Sequence, residues 1–378
     1  MGVRALSLAL VTMLLLAAAA ACSTQSERKW VMGYYVGYLA DRYPIDSIAW
    51  DSLSHIAVGA ALPREDGSLD TAFYMHEGEG PAWAKKVVQA AQQHNVEPIL
   101  MIGGADTSAQ FRDATRTERR ERFVGDILSI VDEYGFAGVD LDWEPMTEHD
   151  VPIVKALAED LRSRRPELVL TVPIGSVNIN RAQDVPTSIS TLAAAFDQVN
   201  LMTYGMHGAG WRDWHSWHPG ALQGETTDTP MSIASTVDTY LQAGLPAHKL
   251  GLGIGFYGAC YRGVTGPNQQ SSSMRVVADD NKMSYANVMD DYYREDLVKW
   301  DQTTKTPYLT STQPLGPLEC TYIPFEDERS VALKAQYAVN QGLGGVIIWN
   351  INEGHRKSLP QDKRDELLRT ISSELDDG

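Results

Sequence analysis

Residues 138–145 read Gly-Val-Asp-Leu-Asp-Trp-Glu-Pro, so Asp140, Asp142 and Glu144 alternate with apolar or aromatic residues and the run stops at Pro145. Successive side chains of a β-strand point to opposite faces, which puts the three acids on one face at steps of about 6–7 Å. On a solvated edge strand this would be an ordinary row of charges. Turned toward the inside of a barrel it is costly unless the acids share protons or hydrogen bonds. Mutual repulsion then keeps one acid protonated near neutral pH, the state a general acid requires.

Such a row needs a scaffold that faces it inward. Eight short apolar or β-rich runs follow one another: Trp30–Gly37, Ser54–Leu62, Glu97–Gly104, Gly135–Glu144, Leu168–Ile174, Gln198–Gly205, Lys249–Tyr257 and Gly344–Asn350. Most are continuously hydrophobic, as strands buried on both faces should be. Helical patterns lie between them. Asp113–Tyr134 repeats Phe123, Ile127, Ile130 and Val131; Asp150–Arg164 repeats Val151, Val154, Leu157 and Leu161; Ser232–Ala243 and Ser330–Gln341 follow. Strand and helix alternating eight times predict an α/β chain folded as a (β/α)8 TIM barrel. Active sites of that fold sit at the C-terminal ends of the strands, and Glu144 ends the fourth.

The chain has 378 residues, which by length alone fits one large barrel or two ordinary domains. Residues 1–21 carry Arg4 and then an apolar stretch ending in small residues, the pattern of a signal peptide. Cys22 follows Ala19-Ala20-Ala21 in the manner of a bacterial lipobox, with alanine where leucine is usual. The expectation is export with a lipid anchor at Cys22 and a tether over 22–29, placing the chain in the cell envelope; ordinary secretion is the alternative. The net charge of −17 argues against nucleic acid and against a basic membrane-docking face. Membrane contact is therefore expected only through the lipid, and the chain is expected to be a monomer. No histidine, cysteine and acid spacing suggests a metal site or a cofactor.

The long stretch of about 259–324, between the seventh and eighth strands, is too long for a structureless loop and is expected to fold as a small inserted subdomain. Cys260 and Cys320 stand at its two feet. In an oxidising compartment they form a disulfide or remain two buried thiols; spacing does not decide. The main barrel is expected over 30–355, and residues 356–378 read as a terminal helix with an acidic tail.

The run from Gly138 to Glu144 resembles the active-site strand of glycoside hydrolase family 18, the chitinases and their relatives, whose pattern is Asp-Gly-x-Asp-x-Asp-x-Glu. Ala137 stands at its first position. Other strand ends resemble the family too: Met101-Ile102-Gly103-Gly104 its Ser-x-Gly-Gly, and Met202-Thr203-Tyr204-Gly205 its Met-x-Tyr-Asp. Leu252 to Gly258 resembles its Gly-x-Pro-Phe-Tyr-Gly run, and Gly344 to Trp349 the segment bearing a tryptophan beneath the sugar; Phe325-Glu326-Asp327, Ser330 and Lys334 fit the approach to it. The resemblance implies substrate-assisted hydrolysis of β-1,4-linked N-acetylglucosamine polymers (chitin) or oligosaccharides. It makes Glu144 the proton donor, with Asp142, Asp140 and Tyr204 as its catalytic partners. It implies substrate contacts at Tyr35, Gly104, Met202, Tyr257 and Trp349. Ala137, by strand parity, should point away from the catalytic face; Gly205, next to Tyr204, should affect binding more. An endo-β-N-acetylglucosaminidase acting on glycoprotein or cell-wall glycans, and a non-catalytic chitin-binding relative, are the competing readings.

Overall fold

The computed structural model describes residues 29–76, 78–208 and 214–376; the expected signal peptide and the expected lipidation site Cys22 lie outside the described residues. Eight strands, β1 (Trp30–Val36), β2 (His55–Pro63), β3 (Glu97–Gly104), β4 (Gly138–Trp143), β5 (Val169–Gly175), β6 (Gln198–Met202), β7 (Leu250–Gly255) and β8 (Gly345–Trp349), form the barrel. Each pairs in parallel with the next, and β1 pairs with both β2 and β8, closing the sheet. The expected (β/α)8 barrel is the fold observed.

Strand parity divides the core in two. Met32, Tyr34, Ala57, Ala60, Ile99, Met101 and Ile347 fill the inside of the barrel. The alternate residues, among them Tyr35, Val58, Leu100, Val139 and Leu141, pack outward in the cluster that includes the helices. These are α1 (Glu79–Gln93), α2 (Ser108–Ala114), α3 (Thr117–Tyr134), α4 (Val151–Arg164), α5 (Ile233–Gln242), α6 (Glu328–Asn340), α7 (Ile351–Gly354) and α8 (Glu366–Asp376). The alternation is less regular than the sequence pattern suggests. Between β1 and β2, and between β5 and β6, the described residues form 3-10 turns, such as Ile45–Ser47 and Ile189–Ala194. Pro44 and Pro186 lie in these crossovers, and proline lacks an N–H and disfavours helical backbone in the residue before it. The helix expected from Asp113 is two helices, because the Thr115 hydroxyl bonds back to the Phe111 carbonyl at 2.7 Å and closes α2.

The insertion is a five-stranded antiparallel sheet in the order Arg275–Ser284, Tyr257–Arg262, Cys320–Pro324, Thr306–Leu315, Val298–Asp301. It has its own core of Met283, Val288, Tyr292, Leu309, Leu315 and Ile323. Cys260 and Cys320, 60 positions apart, form a disulfide between the second and third strands of that order. Closing a loop of that length stabilises the folded state by about 4 kcal/mol in the chain-entropy account. Trp300 packs under the Arg329 guanidinium, 3.8 Å from the ring centre. Where the insertion returns to the barrel, Glu326 accepts from the ammonium of Lys334 and, at 2.6 Å, from the Ser330 hydroxyl, all fully buried. The tail packs as α8 through Leu367, Leu368, Ile371 and Leu375.

Candidate active site

β4 carries the acid row into the barrel. Asp140 and Asp142 are buried inside it, Val139, Leu141 and Trp143 face the outer shell, and Trp143 stacks on Phe111 with ring centres 4.7 Å apart. Neighbouring β3 lies close because of Gly103, whose φ is +99° and where a Cβ would fall 2.3 Å from the Asp142 carbonyl oxygen.

Along the row each acid has a different surrounding. Asp140, the deepest, accepts from the Tyr34 hydroxyl at 2.9 Å through Oδ2 and from the Thr171 hydroxyl through Oδ1. Thr171 stands opposite it in the β4–β5 register. Burial pushes the Asp140 carboxyl up to about 6, and these two donors pull against that. Asp142 has no donor on Oδ1 among the described residues. Burial, then the charges of Glu144 and Asp140, hold its carboxyl well above the usual range, and it is hydrogen-bonded to Glu144. Two carboxyls bonded to each other must hold a proton between them. Glu144 is half-buried on the wall of a cleft of about 290 Å³ that also takes in Met146, Asn178, Arg181 and Met202. Burial raises its carboxyl, the bond from Asp142 opposes this, and the charges of Asp106 and Asp140 add to it. A pair that shares one proton, backed by a hydrogen-bonded anion, can move that proton outward along the row.

Tyr204 lies beside the row at the end of β6, and its ring meets Tyr257 edge-on at 6.5 Å. Burial and the charges of Asp142 and Glu144 hold its phenol far above its ordinary value, so it remains a donor. Trp349, half-buried at the end of β8, lies 5.5 Å from the Tyr34 ring, and its indole N–H donates to Asp280 of the insertion at 3.2 Å. Gly104 leaves the space beside Asp142 open: a Cβ there would lie 3.8 Å from Asp142 Oδ2 and about as far from the Tyr74 hydroxyl. Glu144, Asp142, Asp140, Tyr204, Gly104, Met202, Tyr257 and Trp349 are thus brought to one end of the barrel.

Tyr35 is not with them, and its expected substrate contact is corrected. It faces outward, donates to the Tyr43 carbonyl at 2.6 Å and stacks on Trp83. Its neighbour Tyr34 has the inward parity. Both faces of β1 are buried, so the apolar pattern offered no way to choose between them. Thr171 was missed although it left a signal, being the one hydroxyl in the buried strand Val169–Gly175. Asp280 left none, since only the folded insertion brings it to Trp349. Ala137 sits at the entry of β4, its N–H on the Pro98 carbonyl at 2.8 Å, at the end remote from Glu144. Gly205 is exposed with φ +65°, and a Cβ there would meet the Tyr257 hydroxyl at 3.2 Å.

Comparison with known proteins agrees with this architecture. The sequence pattern of glycosyl hydrolases family 18 matches residues 30–354. A class V chitinase of Arabidopsis thaliana is 29% identical over 308 residues, covering 75% of this chain and 78% of the relative. A chitinase-like effector of Moniliophthora roreri is 27% identical over 370 residues, covering 84% and 87%. Among solved structures, the Ostrinia furnacalis group IV chitinase in complex with allosamidin has a TM-score of 0.78 at 23% identity, covering 92% of this chain and 99% of that one. A chitinase-like agglutinin of Robinia pseudoacacia shares the fold as well, with a TM-score of 0.72 at 22% identity and coverage of 91% and 99%. The chain belongs to glycosyl hydrolase family 18.

Proposed function

We propose that the chain hydrolyses β-1,4-linked N-acetylglucosamine polymers or oligomers with retention of anomeric configuration, the substrate's own acetamido group acting as nucleophile. One observation carries this: β4 sets Asp140, Asp142 and Glu144 in a row that runs from the buried interior of the barrel to its mouth, beside Tyr204, and burial raises the carboxyls of the outer two. The solved complexes of the Ostrinia furnacalis group IV chitinase with allosamidin and of the Nicotiana tobaccum class V chitinase with NAG4 support the substrate class.

The chemistry follows from that proton. Passing it from Asp142 to Glu144 leaves Asp142 anionic toward the acetamido N–H and Glu144 neutral toward the leaving oxygen. The acetamido carbonyl oxygen attacks the anomeric carbon, Glu144 protonates the departing oxygen, and the anion of Asp142 offsets the charge on the cyclic intermediate. Tyr204 donates to the acetyl oxygen and orients it. Trp349 offers a flat apolar face beneath the sugar. Glu144, now ionised, takes a proton from the water that opens the ring.

The test is made on soluble N-acetylglucosamine oligomers. Proton NMR of the fresh reducing end is expected to show the β-anomer first, a thiazoline analogue of the cyclic intermediate to inhibit competitively, and acetyl-free chitosan to remain uncut. An initial α-anomer, or brisk cleavage of chitosan, would overturn the mechanism. Binding without turnover would indicate a lectin instead.

Tyr34 sets the pH range. Its hydrogen bond favours the Asp140 anion, so Tyr34→Phe raises the Asp140 pKa further. A raised acid protonates at higher pH as pH falls, so the acidic limb of kcat/KM moves to higher pH. The expected result is such a shift with a loss of about tenfold in kcat on the acidic side, the scale of one hydrogen bond to a charged group. An unchanged acidic limb would remove Asp140 from the working proton network.

We also propose export with a lipid anchor at Cys22, supported by residues 1–24. The mass of the mature N-terminal peptide decides it: a diacylglyceryl adduct on Cys22 is expected, and a mature N-terminus lacking it would overturn the anchor.

A further inference from the structure

A second pair of acids lies under Trp349. Glu353, in α7, is fully buried; its Oε1 accepts from Asn350 Nδ2 at 3.0 Å and its Oε2 has no donor among the described residues. Asp280, in the insertion strand Arg275–Ser284, accepts from the Trp349 indole through Oδ1. The carboxyls of Glu353 and Asp280 are hydrogen-bonded to each other, which again requires a proton between them.

We propose that Glu353 is a positioning residue: through Asp280 it anchors the Trp349 indole, and so ties the sugar platform of the barrel to the insertion. This rests on the reading of Trp349 as that platform. Burial pushes both carboxyls up, Glu353 furthest, so Glu353 is the neutral partner and donates, leaving Asp280 anionic toward the indole. The other groups facing the pair are Arg42, Asp279, Tyr38 and Tyr257. Asp279 is held by His207 Nε2 at 3.0 Å. Burial and nearby negative charge hold both phenols neutral. The Arg42 guanidinium favours ionised Glu353. As pH rises through the Glu353 pKa the shared proton leaves, two anions face each other, and the Asp280–Trp349 contact loosens. Because Glu144 is untouched, the effect falls on KM rather than kcat.

The test compares the full chain with Glu353→Gln, which keeps a donor to Asp280 but cannot titrate, and Glu353→Leu, which has no donor. Two readouts are taken across acid to alkaline pH. One is KM and kcat on soluble N-acetylglucosamine oligomers. The other is Trp349 emission without sugar, obtained by subtracting the Trp349→Phe counterpart of each protein. The parent's KM is expected to rise and its Trp349 emission to shift together as pH rises through the Glu353 pKa. Glu353→Gln flattens both with kcat within about twofold, whereas Glu353→Leu raises KM about tenfold at every pH, the scale of one charge-assisted hydrogen bond. Should Glu353→Gln fail to fold, Asp280→Asn serves. Asp280 has φ +41°, a backbone region asparagine tolerates, and its amide both accepts from the indole and donates to Glu353. It too is expected to flatten the emission shift. Parent-like pH dependence in the variant used, or equal KM in Glu353→Gln and Glu353→Leu, overturns the proposal. A parent that turns over no oligomer overturns the chitinase reading alone, because the emission readout needs no turnover.

Discussion

Glu144→Gln is expected to lower kcat on N-acetylglucosamine oligomers by about 10²–10⁴-fold, the range for loss of a general acid, and to leave their Kd within a few-fold of the parent. Glutamine keeps the volume and a hydrogen-bonding oxygen but has no transferable proton. It also ends proton exchange with Asp142, whose hydrogen-bonded carboxyl partner is Glu144. The substrate contacts implied for Tyr204, Tyr257 and Trp349 come from β6, the insertion and β8, and the change does not touch them. Stopped turnover with retained binding, the latter read by calorimetry with an oligomer, is therefore the signature. A Glu144→Gln protein that turns over at near the parent's rate would place the proton donor elsewhere.

Lys334→Met is expected to lower the unfolding free energy at neutral pH by about 3–5 kcal/mol, the usual consequence of removing one partner of a buried ion pair. Lys334 and Glu326 are both fully buried, and without the ammonium Glu326 keeps only the Ser330 hydroxyl. Burial already raises the Glu326 carboxyl and Lys334 opposes this, so the variant's folded pKa lies higher still. The sign follows. A folded pKa above the unfolded one means the native state binds the proton more tightly. The deficit therefore grows as pH rises above the unfolded pKa of about 4.3 and shrinks as pH falls toward it. Urea titrations at acid and neutral pH measure this. Adding Glu326→Met to Lys334→Met is expected to restore most of the loss, because the orphaned charge is gone. A single variant within about 1 kcal/mol of the parent at neutral pH would mean that water reaches Glu326.

The acid row was legible in the sequence because period-two alternation is a local property. Once Gly138–Trp143 is a strand, Asp140, Asp142 and Glu144 share a face whatever surrounds them. The barrel was legible for a similar reason: eight apolar runs in order admit few other closed arrangements. Which face of each strand turns inward was not legible. Parallel strands buried on both sides are apolar on both, so Tyr34 and Tyr35 look alike until the sheet closes and gives one to Asp140 and the other to Tyr43. The surroundings of each acid were equally out of reach. The order of the three acids was written in the chain, but only the fold gives the deepest its donors, Thr171 on the next strand and Tyr34 across the barrel, and buries Asp142 so that its carboxyl is raised. The same holds for Asp280, 69 positions from Trp349, which reaches the indole only because the insertion folds back on the barrel mouth. Local periodicity determined which residues could act together; long-range packing, which sets desolvation and hydrogen-bond partners, decided what each does.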